Sequence, residues 1–260
     1  MASNHVLLKR EGPVVVVTLN RPDKMNALNK EILEEFKKLL DVLETDRVAR
    51  AIVLTASGEK AFCVGADLKE RQGMNEKDVL LRLEMVRSLY LRWERLAIPS
   101  IAALNGIALG GGLELALVCD LRIASENVVL GLPETELAII PGNGGTQRLT
   151  RTVGVSRAME MVLLAKRLTA QEALTWGILN HVSAPGQLLK DAMIWANKIS
   201  EAGPIAIQQA KKAIQRGKEK PWEEALQWEV ECYKPCLYSK DRLEGLRAFT
   251  EKRKPSYQGE

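Results

Sequence analysis

Two glutamates stand beside two runs of glycine, and that grouping is where chemistry could sit. The run Asn105–Asp120 carries Gly110, Gly111 and Gly112, leads into an apolar helical stretch, and places Glu114 in its first turn. Glycine lets a ligand approach the backbone because no Cβ stands in the way. The first N–H groups of a helix have no internal partner and point outward at the positive end of the dipole. Such a terminus can hold a developing negative charge beside an acid or a base. The second carboxylate, Glu134, follows in Gly131-Leu-Pro-Glu134, just ahead of Pro141-Gly-Asn-Gly-Gly-Thr146. A third place is Gly65-Ala-Asp-Leu-Lys-Glu70. There Gly65 again allows close approach, Asp67 is positioned to cap a helix, and the Ala66 N–H is left free to face a ligand.

Other chemistries fit these residues poorly. Glycine-rich helix starts also bind dinucleotides and nucleoside triphosphates. Gly106-Ile-Ala-Leu-Gly110 departs from that dinucleotide spacing, and Gln147 stands where Gly142-Asn-Gly-Gly-Thr-Gln147 would need its last glycine. Neither run continues into the Gly-Lys-Ser/Thr of a phosphate loop. No G-x-S-x-G is present, and His5 and His181 are the two histidines. His181, among apolar neighbours, reads as structural. Acid–base work then falls to carboxylates, tyrosine or lysine. Cys63, Cys119, Cys232 and Cys236 have no zinc-finger or redox spacing and read as free thiols in a reducing compartment.

The elements that must position these residues alternate. Val14–Thr18 and Ala51–Thr55 are almost wholly apolar, as strands covered on both faces would be. Ala61–Val64, Ser100–Ala103 and Leu121–Ala124 are further strands. Lys30–Leu43 carries a helical apolar stripe, and Glu76–Leu96 reads as a long helix. Strand–strand–helix units in series predict an α/β protein. From about Val155 the reading becomes almost entirely helical, with Ser156–Leu164, Ala170–Trp176, Leu188–Glu201, Ile205–Arg216, Trp222–Cys232 and Arg242–Lys252. Gly203-Pro204 marks a boundary, dividing a core of residues 1–200 from a helical region of residues 201–260.

A chain of 260 residues is long enough for a sizeable core, and 46% apolar with 27% charged residues is ordinary for a soluble globular protein. A net charge of +4 suits an anionic small ligand but is too mild to argue for nucleic acid. No apolar stretch reaches membrane-spanning length, and Met-Ala-Ser-Asn-His lacks the pattern of a signal peptide. The expectation is a cytoplasmic protein.

Taken together the motifs resemble the crotonase (enoyl-CoA hydratase/isomerase) superfamily over nearly the whole chain. The carriers are Asn20-Arg-Pro22 with Asn26-Ala-Leu28, Phe62–Lys69, Asn105–Asp120, Gly131–Glu134, Pro141–Leu149 and Asp241–Phe249. The resemblance implies a superhelix of ββα units with a C-terminal helical trimerisation region, assembling as a trimer or as a hexamer of two stacked trimers. It implies an oxyanion hole for a CoA thioester made by the Ala66 and Gly111 N–H groups, with Glu114 and Glu134 as the catalytic pair and Gly142 beside the catalytic water. Having both glutamates favours hydration of a 2-enoyl-CoA to a 3-hydroxyacyl-CoA, as in fatty-acid or branched-chain acyl-CoA degradation. Glu114 is expected to be the base and Glu134 the protonated partner.

For CoA the resemblance implies contacts at Lys24, Met25, Val64, Ala66 and Lys69, and at Tyr233 and Lys252 in part across a subunit boundary. The chemistry requires no metal and no separate cofactor, CoA being part of the substrate. Two departures lie near the site: Asn143 stands where the family often has a smaller residue, and Leu113 where short-chain hydratases often have Cys. The segment Arg71–Leu83 is where the acyl tail is expected. One branch is especially similar, the methylglutaconyl-CoA hydratases, through Ala66–Arg71 with Met74, Leu137–Gly142 and Asp241–Phe249. An RNA-binding member of that branch uses a lysine-rich first helix, but here Lys30–Leu43 mixes Glu31, Glu34 and Glu35 with Lys37 and Lys38, which argues against nucleic acid as a partner.

Overall fold

A computed structural model describes residues 4–260. The strands are β1 (Val6–Glu11), β2 (Val14–Leu19), β3 (Ala51–Ala56), β4 (Ala61–Cys63), β5 (Ser100–Leu104), β6 (Ile107–Leu109), β7 (Leu121–Ser125), β8 (Val129–Gly131), β9 (Arg167–Thr169) and β10 (His181–Ser183). The helices are α1 (Lys30–Leu43), α2 (Leu68–Gln72), α3 (Glu76–Arg95), α4 (Gly111–Leu117), α5 (Gly145–Val153), α6 (Val155–Leu163), α7 (Ala170–Thr175), α8 (Leu188–Ser200), α9 (Pro204–Gly217), α10 (Trp222–Leu237) and α11 (Lys240–Thr250).

The strands form two sheets. One runs β1-β2-β3-β5-β7-β10, antiparallel only at β1–β2. The other runs β4-β6-β8-β9, parallel from β4 to β8. Consecutive strands therefore go to different sheets: β3 then β4, β5 then β6, β7 then β8, each pair followed by helix. That is a superhelix of ββα turns.

Apolar strands follow from this arrangement. Val15, Val17, Ile52, Leu54, Ala102 and Leu104 face the main core, while Val14, Val16, Ala51, Val53, Ile101 and Ala103 face Leu188, Ala192 and Ala196 of α8. Alternate residues point to opposite faces, and both faces are dry. The main core also takes Val86, Leu89, Tyr90 and Trp93, one stripe of α3. Trp93 stacks on Phe36 of α1 with ring centroids 5.1 Å apart. Helix α4 lies close on β4, since a Cβ on Gly112 would run into the Cys63 carbonyl.

The long elements fall within a few residues of their expected bounds. The C-terminal part is less uniformly helical than its sequence suggests, because β9 and β10 interrupt it. Both are three-residue strands that close sheet edges, too short to show a period. Helix α10 also runs through Pro235 to Leu237, beyond the expected end. Beyond residue 200, α9 is tied to the core by Lys211 and Gln215, whose side chains donate to Asp120 at 2.7 and 2.9 Å.

Candidate active site

Three successive turns of the superhelix each add one part of a single site. The strands β4, β6 and β8 are parallel neighbours, so their C-terminal ends share an edge. Ala66 follows β4, Gly111 follows β6 and Glu134 follows β8. Loops at the C-terminal edge of parallel strands are where open α/β sheets bind ligands. Here they border a cavity of about 690 Å³ lined by Val64, Ala66, Gly111, Glu114, Glu134 and Gly142, among others.

The Ala66 N–H is turned outward by local pairing. Leu28 forms a parallel bridge with Ala66, in which Leu28 N–H donates to Gly65 and its carbonyl accepts from Asp67, at 2.8 and 3.0 Å. The bridge uses the residues on either side of Ala66 and leaves its own N–H pointing away. Asp67 then caps α2 by accepting from the N–H groups of Lys69 and Glu70. Gly111 is the first residue of α4, so its N–H has no acceptor within the helix. The two amides are close. A Cβ on Gly111 would stand 3.7 Å from the Ala66 nitrogen, and one on Gly65 would stand 2.8 Å from the Gly111 nitrogen. Gly65, at φ +86, is the residue that permits this approach.

The two glutamates sit in opposite environments. Glu114 is 1% exposed, yet its carboxylate is fully provided for. Oε1 accepts from the N–H groups of Asn143 and Gly145, both at 2.8 Å, and Oε2 accepts from Asn143 Nδ2 at 3.0 Å. Gly145 opens α5, so Glu114 caps a second helix besides lying in the first turn of its own. Three N–H donors suit an ionised carboxylate, which can only accept. Glu134 lies across from Gly110, where a Cβ would be 3.2 Å from its Oε1. Its Oε2 is buried without a partner. Burial, reinforced by the nearby Glu114 charge, pushes Glu134 up to about 7, against the opposing pull of its own backbone N–H and of Arg71. One carboxyl is thus built to be charged and its neighbour to hold a proton near neutrality.

Not every expected contact meets here. Val64, Ala66 and Gly142 line the cavity. Lys24 and Met25 form a tight turn in which Met25 adopts φ 52. The side chain of the following residue, Asn26, anchors that turn by donating to Ser57 and Ala61. Lys69 is exposed on α2, Tyr233 is exposed on α10 and Lys252 follows α11, all outside the residues that line the cavity. The site is also held by residues that spacing did not single out. Tyr90, in the buried stripe of α3, reads as plain core, yet its hydroxyl donates to the Gly111 carbonyl at 2.7 Å. Asn143 stood out only as a departure, and it holds Glu114 by both its backbone and its side chain.

Comparison with known proteins agrees with this geometry. The enoyl-CoA hydratase/isomerase family model matches residues 9–260. A short-chain-enoyl-CoA hydratase of Clostridium acetobutylicum is 42% identical, with 98% of this chain and 97% of that protein covered. A mitochondrial methylglutaconyl-CoA hydratase of Mus musculus is 43% identical, with 95% of this chain and 80% of that protein covered. Among solved structures, an enoyl-CoA hydratase from Bacillus anthracis superposes with a TM-score of 0.97 at 47% identity, covering 98% of this chain and all of that one. Likeness of sequence and of backbone extends over the same residues that build the cavity, and the chain belongs to the enoyl-CoA hydratase/isomerase family.

Proposed function

We propose that this protein is an enoyl-CoA hydratase, adding water across the double bond conjugated to a CoA thioester to give the 3-hydroxyacyl-CoA. The observation that carries the reading is the pair Glu114 and Glu134, held in contrasting environments on one cavity with two outward N–H groups. The thioester oxygen is received by the Ala66 and Gly111 N–H groups. Glu114 takes a proton from water as the oxygen bonds to the β-carbon. The double-bond electrons move toward the thioester, and the resulting enolate is stabilised by both donors. Each such donor contributes about 3–4 kcal/mol to the transition state. Glu134 then gives its proton to the α-carbon. Solvent exchange restores both carboxyls, and no metal or redox cofactor enters the balance.

For CoA itself, Val64 and Ala66 line the inner path and Gly142 faces the attacking water. Lys24, Met25 and Lys69 serve the nucleotide end, and Tyr233 and Lys252 complete it from the C-terminal helices. Those helices expose Trp222, Tyr238 and Phe249, which supports assembly as a trimer or as a hexamer of two stacked trimers. Among the described residues no helix is long and apolar enough to cross a membrane. A nucleic-acid role finds no support in α1, whose exposed positions mix Lys30, Lys37 and Lys38 with Glu31, Glu34 and Asp41.

The test is hydration of crotonyl-CoA by the purified protein and by the Glu114→Gln and Glu134→Gln variants. Each variant is expected to lose roughly 10²–10⁴ in kcat, the usual worth of a positioned acid or base. Full activity in either variant would remove that glutamate from the mechanism. A second reading, hydration of methylglutaconyl-CoA, is favoured by the relatives of that name.

A further inference from the structure

The turn that aims Glu114 is itself held from behind. Gly144 adopts φ 100 and ψ 8, a left-handed conformation that brings the N–H groups of Asn143 and Gly145 onto one oxygen of Glu114, each at 2.8 Å. The carbonyl between those two N–H groups, that of Asn143, points away from the site and needs a donor of its own. Arg148, in the first turn of α5, supplies it from Nη1 at 2.9 Å. Its guanidinium lies across Gly144, where a Cβ would collide with Nη1. The other edge of the same plane donates to both carboxylate oxygens of Glu94, from Nε at 3.2 Å and from Nη2 at 2.8 Å. Glu94 stands in the last turn of α3 beside the buried Trp93, and its own carbonyl accepts from the Gln215 side chain at 3.1 Å.

Arg148 and Glu94 are half-buried. A half-buried ion pair adds little net stability, whereas a two-pronged fork fixes direction. The remaining prong falls on the residue that holds Glu114 by main chain and side chain together. Resting on the hydratase reading above, we propose that Glu94 and Arg148 are positioning residues for the general base: the pair clamps the Asn143 carbonyl from behind and so fixes the N–H donors that aim Glu114 at the attacking water. Without the clamp the turn can rotate, and the carboxylate swings with it.

The experiment follows crotonyl-CoA hydration across pH in the unaltered protein, in Arg148→Met, Arg148→Lys and Glu94→Gln, and in the double variant Arg148→Met with Glu94→Gln. The Met and Gln variants should each lose roughly tenfold to a hundredfold in kcat, as a misplacement of about 1 Å costs, with KM within about twofold. Arg148→Lys, which keeps the charge but not the fork, should lose nearly as much. The double variant should lose no more than the worse single one, because the pair acts as a unit. The groups around Glu114 are Cys63 and Tyr90, both raised far above the working range by burial, Glu134 across the cavity, Arg71 on its wall, and Arg148 with Glu94 behind the turn. The acid limb of the kcat profile, set by Glu114, should move to higher pH in Arg148→Met and in Glu94→Gln alike, since a carboxylate deprived of N–H donors is harder to ionise. Loss of charge alone would move that limb up in the first and down in the second and would leave Arg148→Lys fully active; either result overturns the inference. An unchanged kcat in Glu94→Gln, which is nearly isosteric, also overturns it, as does a double variant whose loss equals the product of the two single losses. In each of these cases the unaltered protein still hydrates crotonyl-CoA and the hydratase reading stands. No hydration by the unaltered protein overturns both.

Discussion

The Tyr90 hydroxyl donates a 2.7 Å hydrogen bond to the carbonyl of Gly111, joining the long helix α3 to the residue that opens α4. Tyr90 is 1% exposed, and burial raises its phenol well above the ordinary value, so it stays a donor throughout the working range. The bond holds the first peptide of α4 from behind, while the Gly111 N–H faces the cavity. Tyr90→Phe keeps the packing and removes the bond. Its expected cost is about 1 kcal/mol of stability. A several-fold drop in kcat with KM little changed is expected as well, because the loosened turn bears on the transition state more than on binding. Urea unfolding and crotonyl-CoA kinetics on the same preparation check both.

The proton on Glu134 makes the direction of reaction sensitive to pH. In the proposed mechanism hydration uses Glu134 as an acid, so kcat/KM should decline as pH rises through about 7. Dehydration of the 3-hydroxyacyl-CoA would by the same mechanism use that group as a base and should decline as pH falls through that value. The stability effect has a definite sign. The folded value lies above the ordinary 4.5, so folding carries no penalty below 4.5 and acquires one as pH climbs toward about 7. Glu134→Gln should therefore raise Tm, with a gain that grows between those two pH values and then levels off. A gain independent of pH would show that the carboxyl is not the source.

Asn143 holds Glu114 through both of its N–H groups, one main-chain and one side-chain. Asn143→Asp places a second carboxylate against Glu114 Oε2 in place of the donor at 3.0 Å. Like charges at that range push one carboxyl toward its protonated form. Hydration should fall about tenfold or more and recover toward acid pH less than the unaltered protein does. Asn143→Gly, which keeps the backbone donor, should retain more activity than the aspartate at every pH. The ranking of the three in crotonyl-CoA turnover decides it.

Long elements and the residues that border the cavity were legible for different reasons. Strands β2, β3 and β5 are buried on both faces, and their unbroken apolar runs say so. Helices α1 and α3 carry stripes long enough to show their period. Gly65, Gly111 and Glu114 sit in motifs whose residue types are constrained by contact, and these declared themselves. Tyr90 did not, because an aromatic in a helical stripe satisfies the pattern of core whether or not its hydroxyl has a task. The α5 terminus behind Glu114 was also hidden. Capping of one element by a side chain 31 residues earlier leaves no local pattern. Strands β9 and β10 had too few residues to register.

Ala66, Gly111 and Glu134 each follow the same strand of consecutive turns, and this spacing along the superhelix separates two tasks. In the proposed reaction, activation of the thioester belongs to the first two turns. The choice of what then happens to the enolate would belong largely to the third, together with Glu114. A chain that altered only the loop after β8 would still draw charge onto the sulfur-bound carbonyl, yet would route the proton elsewhere. The fold thus lets a shared electrophile be kept while the outcome is rewritten one turn at a time.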